Sequence, residues 1–350
     1  MPLSRSLRRL PAAALALVLA GGGLLIAAPP SHAATLDLSQ LGVAANFDKD
    51  EAAGHTCDET GPGDAASSIG TFAADGLPVS RSVSSSAVLT DAGVPADQTT
   101  MAGNVTTTAT ATQAAGQLSN VHVAGTASAS LTTAVANTSC GGNIEVGGDV
   151  VFQFSLAAPT LVTISAEAHH VMGVLEAGSL LGSSDDPDAA LSFAIGAHGV
   201  SSSSVVLPAG TGFIGVSEVS LGLNAPATAT TLSRSGDFTA DVSFQAVGAA
   251  SSDQSGNAGK YVKLGDGRDC TAGALALTWS KKAGHGKHRV IKKATVSVNG
   301  VKVATVRKPK KNQVTTVSGL DPESAADVEV AFKIKGKGKF TADRSYVRCS

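Results

Sequence analysis

Between Val150 and Gly248, apolar and polar positions alternate strand after strand. Phe152, Phe154 and Leu156 fall to one side of Gln153 and Ser155, and Val162, Ile164, Ala166 and Ala168 repeat the pattern against Thr163, Ser165 and Glu167. Phe238, Ala240, Val242, Phe244 and Ala246 close the block against Thr239, Asp241, Ser243 and Gln245. A period of two predicts half-buried antiparallel strands, one face dry and one wet. The Gly, Pro, Ser and Asp breaks between them predict two sheets stacked face to face.

Upstream, Asn104 to Thr112 and Leu118 to Ser139 alternate with smaller residues, and Val121, Val123, Leu131 and Val135 are the larger apolar members. Ala34 to about Thr100 reads as the least regular part, with short strands at best, such as Ser84 to Leu89. One sandwich over 34–247 is the main expectation; a division into Ala34–Gly142 and Asn143–Gly248 is the alternative. Residues 248–260, rich in Gly, Ser and Ala, read as a flexible linker. Beyond it, Leu275, Leu277 and Trp279 share a face, and Asn299-Gly300 between two alternating runs is a strong hairpin signal because both positions accept positive φ. About seven short strands over 261–350 predict a smaller immunoglobulin-like or fibronectin-III-like sandwich. The fold class expected is therefore all-β, an antiparallel jelly-roll-like β-sandwich followed by an Ig-like one.

The run FQFSLAAPTLVTISAEA, followed later by an LPAG turn and another strand, resembles secreted bacterial jelly-roll-like sandwiches over Val150 to Val247. The final segment, ending Arg344-Ser345-Tyr346-Val347-Arg348-Cys349 after the Asn-Gly hairpin, resembles the Lys-rich C-terminal modules of exported Gram-positive bacterial proteins. The first resemblance is architectural and the second implies a fold and a surface setting; neither carries catalytic residues with it.

Charge changes the picture more than any motif does. The formal net charge is only −2, but residues 260–350 hold 20 of the 26 Lys and Arg and 7 of the 28 Asp and Glu, a balance of +13. Residues 34–259 carry −18. Two bodies of opposite sign imply different surroundings or partners. At the start, Arg5, Arg8 and Arg9 precede an apolar run from Ala12 to Ala28 and a small-residue cleavage pattern before Ala34, so residues 1–33 read as a secretory signal peptide. Cys57, Cys140, Cys270 and Cys349, an even set in an exported chain, read as disulfides, with Cys57–Cys140 and Cys270–Cys349 the preferred pairing.

Lys333, Lys335, Lys337 and Lys339 alternate with Phe332, Ile334, Gly336, Gly338 and Phe340, which at strand spacing predicts a comb of cations roughly 20 Å long on one face. Lys292, Lys293, Lys308, Lys310 and Lys311 extend it. Such a face either guards an edge strand or docks a polyanion such as wall teichoic acid, acidic exopolysaccharide or anionic lipid headgroups. Nucleic acid is not an expected partner, since the chain reads as exported and Trp279 and Phe332 read as core, leaving few aromatics for bases. Asp185, Asp186 and Asp188 form a compact acidic loop of the kind that holds Ca²⁺, with a solvated turn as the plainer reading. No other cofactor is expected. Asp48, Asp50 and Glu59 match only part of a calcium-loop pattern. His169 and His170, adjacent on a strand, face opposite ways and do not share a metal readily. Ser217 lacks the second Gly of a nucleophile elbow. The expectation is an exported, non-enzymatic, cell-surface or wall-associated β protein without a transmembrane anchor in its mature part. The alternative is a secreted hydrolase or carbohydrate-binding protein with a site assembled from loops of the acidic body.

Overall fold

The computed structural model describes residues 34–61, 66–135, 138–179, 188–195, 198–224, 230–285, 288–289 and 291–350. The expected signal peptide and the loop carrying Asp185 and Asp186 lie outside these residues. Among the described residues, every regular element but the short 3₁₀ turn Lys281–Ala283 is a strand.

Thirteen strands build the first body: β1 (Ala34–Glu51), β2 (Cys57–Thr60), β3 (Ala66–Gly70), β4 (Val79–Asp91), β5 (Gln98–Ala114), β6 (Gln117–Thr133), β7 (Cys140–Leu156), β8 (Thr160–His169), β9 (Met172–Ser179), β10 (Asp188–Ile195), β11 (His198–Leu207), β12 (Gly210–Asn224) and β13 (Thr230–Ala246). They form two antiparallel sheets, ordered β10-β9-β12-β7-β1-β3 and β11-β8-β13-β6-β5-β4-β2. The alternating residues of β7, β8 and β13 point inward as their pattern requires: Phe152, Phe154, Val162, Ile164, Ala240 and Val242 are wholly buried. Phe72, Phe152, Phe154 and Phe244 touch in series, with ring centroids 6.2, 6.2 and 4.9 Å apart. Each such ring contributes about 1.5–3 kcal/mol by leaving water.

Two expectations are corrected here. The stretch from Ala34 to Thr100 is not a set of short strands, because β1 is 18 residues long and pairs with β7 over nearly its whole length. Its inward face is Leu41, Val43, Ala45 and Phe47, and the residues between them, Gly42, Ala44 and Asn46, are too small or too mixed to announce a polar face. Nor does the body divide after Gly142. Residues from β1 to β13 share one hydrophobic core, and β7, which starts at Cys140, lies at its centre between β1 and β12.

The second body holds β14 (Val262–Asp269), β15 (Ala274–Trp279), β16 (Gly284–His285), β17 (His288–Arg289), β18 (Lys293–Val298), β19 (Val301–Arg307), β20 (Val314–Ser318), β21 (Ala326–Ile334) and β22 (Gly338–Tyr346). A three-stranded sheet, β14-β15-β20, and a four-stranded sheet, β19-β18-β21-β22, share a separate core of Tyr261, Leu275, Leu277, Trp279, Val296, Val330 and Phe332. Asn299 and Gly300 turn β18 into β19 with φ of 49° and 77°, as the hairpin signal requires.

The segment after Gly248, which composition marks as a flexible linker, is hydrogen-bonded along β22 instead. Ser251 N–H donates to Ser345 O at 2.9 Å, Ser255 N–H to Asp343 O at 2.9 Å and Ala258 N–H to Thr341 O at 2.8 Å. Backbone pairing of this kind needs no apolar pattern, which is why composition does not reveal it. It covers one edge of the four-stranded sheet and leaves β19 as the other.

Both disulfides join the expected partners, Cys57 with Cys140 and Cys270 with Cys349. Two bridges fit an oxidising environment. Among the described residues, no helix is long and apolar enough to cross a membrane.

Candidate basic site on the second body

The alternation Phe332-Lys333-Ile334 sends Phe332 and Ile334 into the core and Lys333 out. The comb stops there. Lys335, Gly336 and Lys337 form the turn between β21 and β22, with Gly336 and Gly338 at φ of 75° and 90° and Lys337 N–H donating back to Ile334 O. Lys-Gly-Lys-Gly is turn chemistry, because glycine supplies positive φ without strain. The expected 20 Å comb on one strand is thus folded double. Lys339 lies directly across from Lys333, Lys335 and Lys337 occupy the tip, and all four are exposed.

Folding the comb builds something else. Phe332 pairs with Phe340 on β22 and with Ala294 on β18, and Ala294 pairs with Val306 on β19; all four side chains face the core. One step along, on the opposite face, Arg307 pairs with Lys293, Lys293 stands beside Lys333, and Lys333 pairs with Lys339. Four exposed cations on four strands therefore form one row. At about 4.8 Å per strand it is about 14 Å long. Lys292 and Lys308 prolong the same end, where Lys308 N–H donates to Lys292 O at 3.0 Å. Lys310 and Lys311 are exposed in the turn between β19 and β20. Arg307 was not among the residues singled out from sequence, since only the register of β18 with β19 brings it to the row.

Four of the seven acids of this body are committed elsewhere. Asp266 takes Arg344 at 2.7 Å and Lys263 at 3.2 Å, and these hydrogen bonds hold its carboxyl below the usual range. Asp269 accepts the backbone N–H groups of Thr271 and Ala272. Asp321 accepts the Ser324 hydroxyl and Glu323 N–H, which lowers its pKa. Asp327 accepts the Ser345 hydroxyl. Among the described residues, the one ion pair made by a row residue is Lys339 Nζ with Glu329, at 3.9 Å.

The first body offers other groups. On the outer face of its seven-stranded sheet, Asn104, Thr106, Thr126, Ser128, Ser235 and Asp237 line a shallow trough of about 380 Å³. His170 also lines it, and among its lining residues there is no Phe, Tyr or Trp. His122 bonds Asp241 at 2.9 Å and His169 bonds Asp237 at 3.1 Å nearby. His169 lies opposite His198 in register, and His170 follows the strand with φ of 60°. Asp91, buried beside the first disulfide, accepts Gly93 N–H at 2.7 Å and bonds His55 at 2.6 Å. The Gly93 bond first, then His55, holds its carboxyl below the usual range. Desolvation raises that of Asp149, whose carboxylate lies over Gly42. Asp188 opens β10, Asp48 and Asp50 lie in β1 and Glu59 in β2, so those last three occupy strands and not a calcium loop. Ser217 lies within β12. Among the described residues, no three His, Cys, Asp or Glu side chains converge as a metal site.

No protein-family model and no curated protein matches the chain.

Proposed function

We propose that this is an exported, non-enzymatic β protein that attaches through the basic end of its second body to an anionic polymer at the cell surface. In this reading the first body is a jelly-roll-like sandwich, the second an Ig-like module, and residues 1–33 a signal peptide removed on export. The observation that carries it is the segregation of charge: exposed cations gather at one end of one sheet, while most of the acids of that body hold turns, arginine or lysine away from that end. Gathered cations raise the local concentration of anionic ligands, and their binding is driven by the release of counterions, which is why it weakens as salt rises.

The test is retention on cells. Washing with rising salt is expected to release the full-length protein into the medium, and a chain ending at Val247 is expected to appear there from the outset. Retention in high salt, or equal retention of the shortened chain, refutes attachment by charge. Sequencing the exported protein from its N-terminus is expected to start at Ala34.

A further inference from the structure

The row across the four-stranded sheet is not an arrangement that stability favours. Like charges set opposite one another on neighbouring strands are destabilising, yet Arg307 pairs with Lys293 and Lys333 with Lys339, and the two pairs adjoin one step past the last β18–β21 pair, Ala294 with Phe332. Places where a sequence breaks a local rule in this way are where function is to be sought. The next row on the same face is uncharged: Thr305, Thr295, Ala331 and Thr341. The row beyond carries acid on two strands, with Glu329 paired to Asp343, and continues through Ser297 to Lys302 on β19. Toward the middle of the sheet the row is thus bounded by neutral side chains and then by carboxylates, while at the other side Lys292, Lys308, Lys335 and Lys337 continue the positive charge.

A line selects differently from a disc. A flat anionic surface pressed onto this face brings its charges against Glu329 and Asp343 as well as against the cations. A single polymer chain running across the strands meets the cations and, of the two acids, approaches only Glu329, through Lys339. Rungs spaced about 4.8 Å apart also favour a polymer with a charge on every backbone unit, because one charged only at alternate sugars leaves rungs unmet. Lys339, drawn to Glu329 at 3.9 Å, exchanges that carboxylate for an anion of the ligand.

Resting on the polyanion reading above, we infer that Arg307, Lys293, Lys333 and Lys339 form a binding site for a linear polyanion charged at every backbone unit, laid across β19, β18, β21 and β22. The Glu329–Asp343 pair bounds the site on one side and excludes broad anionic surfaces.

The experiment uses full-length protein and three probes: inorganic polyphosphate, hyaluronate, which carries one carboxylate per disaccharide, and phosphatidylglycerol vesicles. Affinity is measured against salt concentration for the parent, for a row variant (R307Q, K293Q, K333Q and K339Q together) and for a control that removes as many charges off the row (K263Q, K281Q, K282Q and K302Q). The parent is expected to bind polyphosphate at least tenfold more tightly than either other probe. The row variant is expected to lose at least tenfold in polyphosphate affinity and about three units of the log–log salt slope, since each phosphate contact contributes about 0.7–0.9. The control is expected to lose far less. Unfolding followed through Trp279 emission verifies that each variant is folded. Equal losses in both variants overturn the row while leaving the polyanion reading in place. Hyaluronate or vesicles bound as tightly as polyphosphate overturn the line. A parent that binds none of the three at low salt overturns the polyanion reading itself.

Discussion

Reversing the charge of Lys333 is expected to make the second body more stable while weakening its hold on polyanions. Lys333 stands between Lys293 and Lys339, so Lys333→Glu turns two repulsive cross-strand contacts into two attractive ones. Cross-strand charge pairs are each worth about 0.2–1 kcal/mol, and the exposure of all three side chains places these at the low end. The summed gain is about 1 kcal/mol. In a body of about 100 residues that corresponds to about 4–8 °C in Tm. The chain's single tryptophan makes the measurement selective: Trp279 is wholly buried in the second core, its ring N–H donating to the Thr315 hydroxyl, and the first body has none. Urea unfolding read by Trp279 emission is expected to show a higher midpoint with an unchanged slope, and the gain is expected to shrink in molar salt. The same change at Lys302, which lies across from Ser297, is expected to give less. A loss of stability at low salt, or a gain insensitive to salt, refutes the row of mutually repelling cations.

Three further outcomes follow from other parts of the chain. Replacing Cys270 and Cys349 by serine opens a loop of 79 residues and is expected to cost the second body about 4 kcal/mol on the chain-entropy account, read by the same Trp279 emission. The Thr107 hydroxyl is buried without a hydrogen-bond partner among the described residues, so Thr107→Val is expected to stabilise the first body by about 1 kcal/mol in calorimetry; a loss means the hydroxyl is satisfied. Asp91 has a folded pKa below its unfolded value, so its contribution is full above the ordinary carboxylate range and is lost as pH falls through the folded pKa. Hydrogen exchange in Cys57–Thr60 is expected to quicken over that acid limb in the parent, and Asp91→Asn is expected to flatten the dependence.

Alternation was enough to find the strands that carry large residues. Phe152, Phe154, Ile164, Val242, Leu277 and Trp279 all lie in the core that their spacing assigned them. The cysteine pairing was legible because each bridge closes within one charge segment. Other features left weaker traces. In the middle of β1, Gly42 and Ala44 stand between the inward Leu41, Val43 and Ala45, so the alternation fades there although the strand is 18 residues long. Lysine alternating with glycine satisfies a strand period and a turn alike, and the positive φ of Gly336 and Gly338 decides for the turn. The candidate lysines could be named from their number and clustering, but the row could not. It depends on which residue of β18 faces which of β19 and β21, a matter of register fixed by the buried set Val306, Ala294, Phe332 and Phe340.

The residues just after Gly248 have a practical bearing on dissection of the chain. A cut placed at Lys260, where composition invites it, takes away the backbone that Asp343, Ser345 and Val347 bond to, uncovers a fresh sheet margin and removes Ala258 from the core. Such a margin recruits neighbouring molecules, and the resulting clumping would pass for ligand-driven assembly. Severed ahead of Gly248 instead, the module retains its border along β22 and gains no sheet edge beyond β19, which the full-length chain has as well.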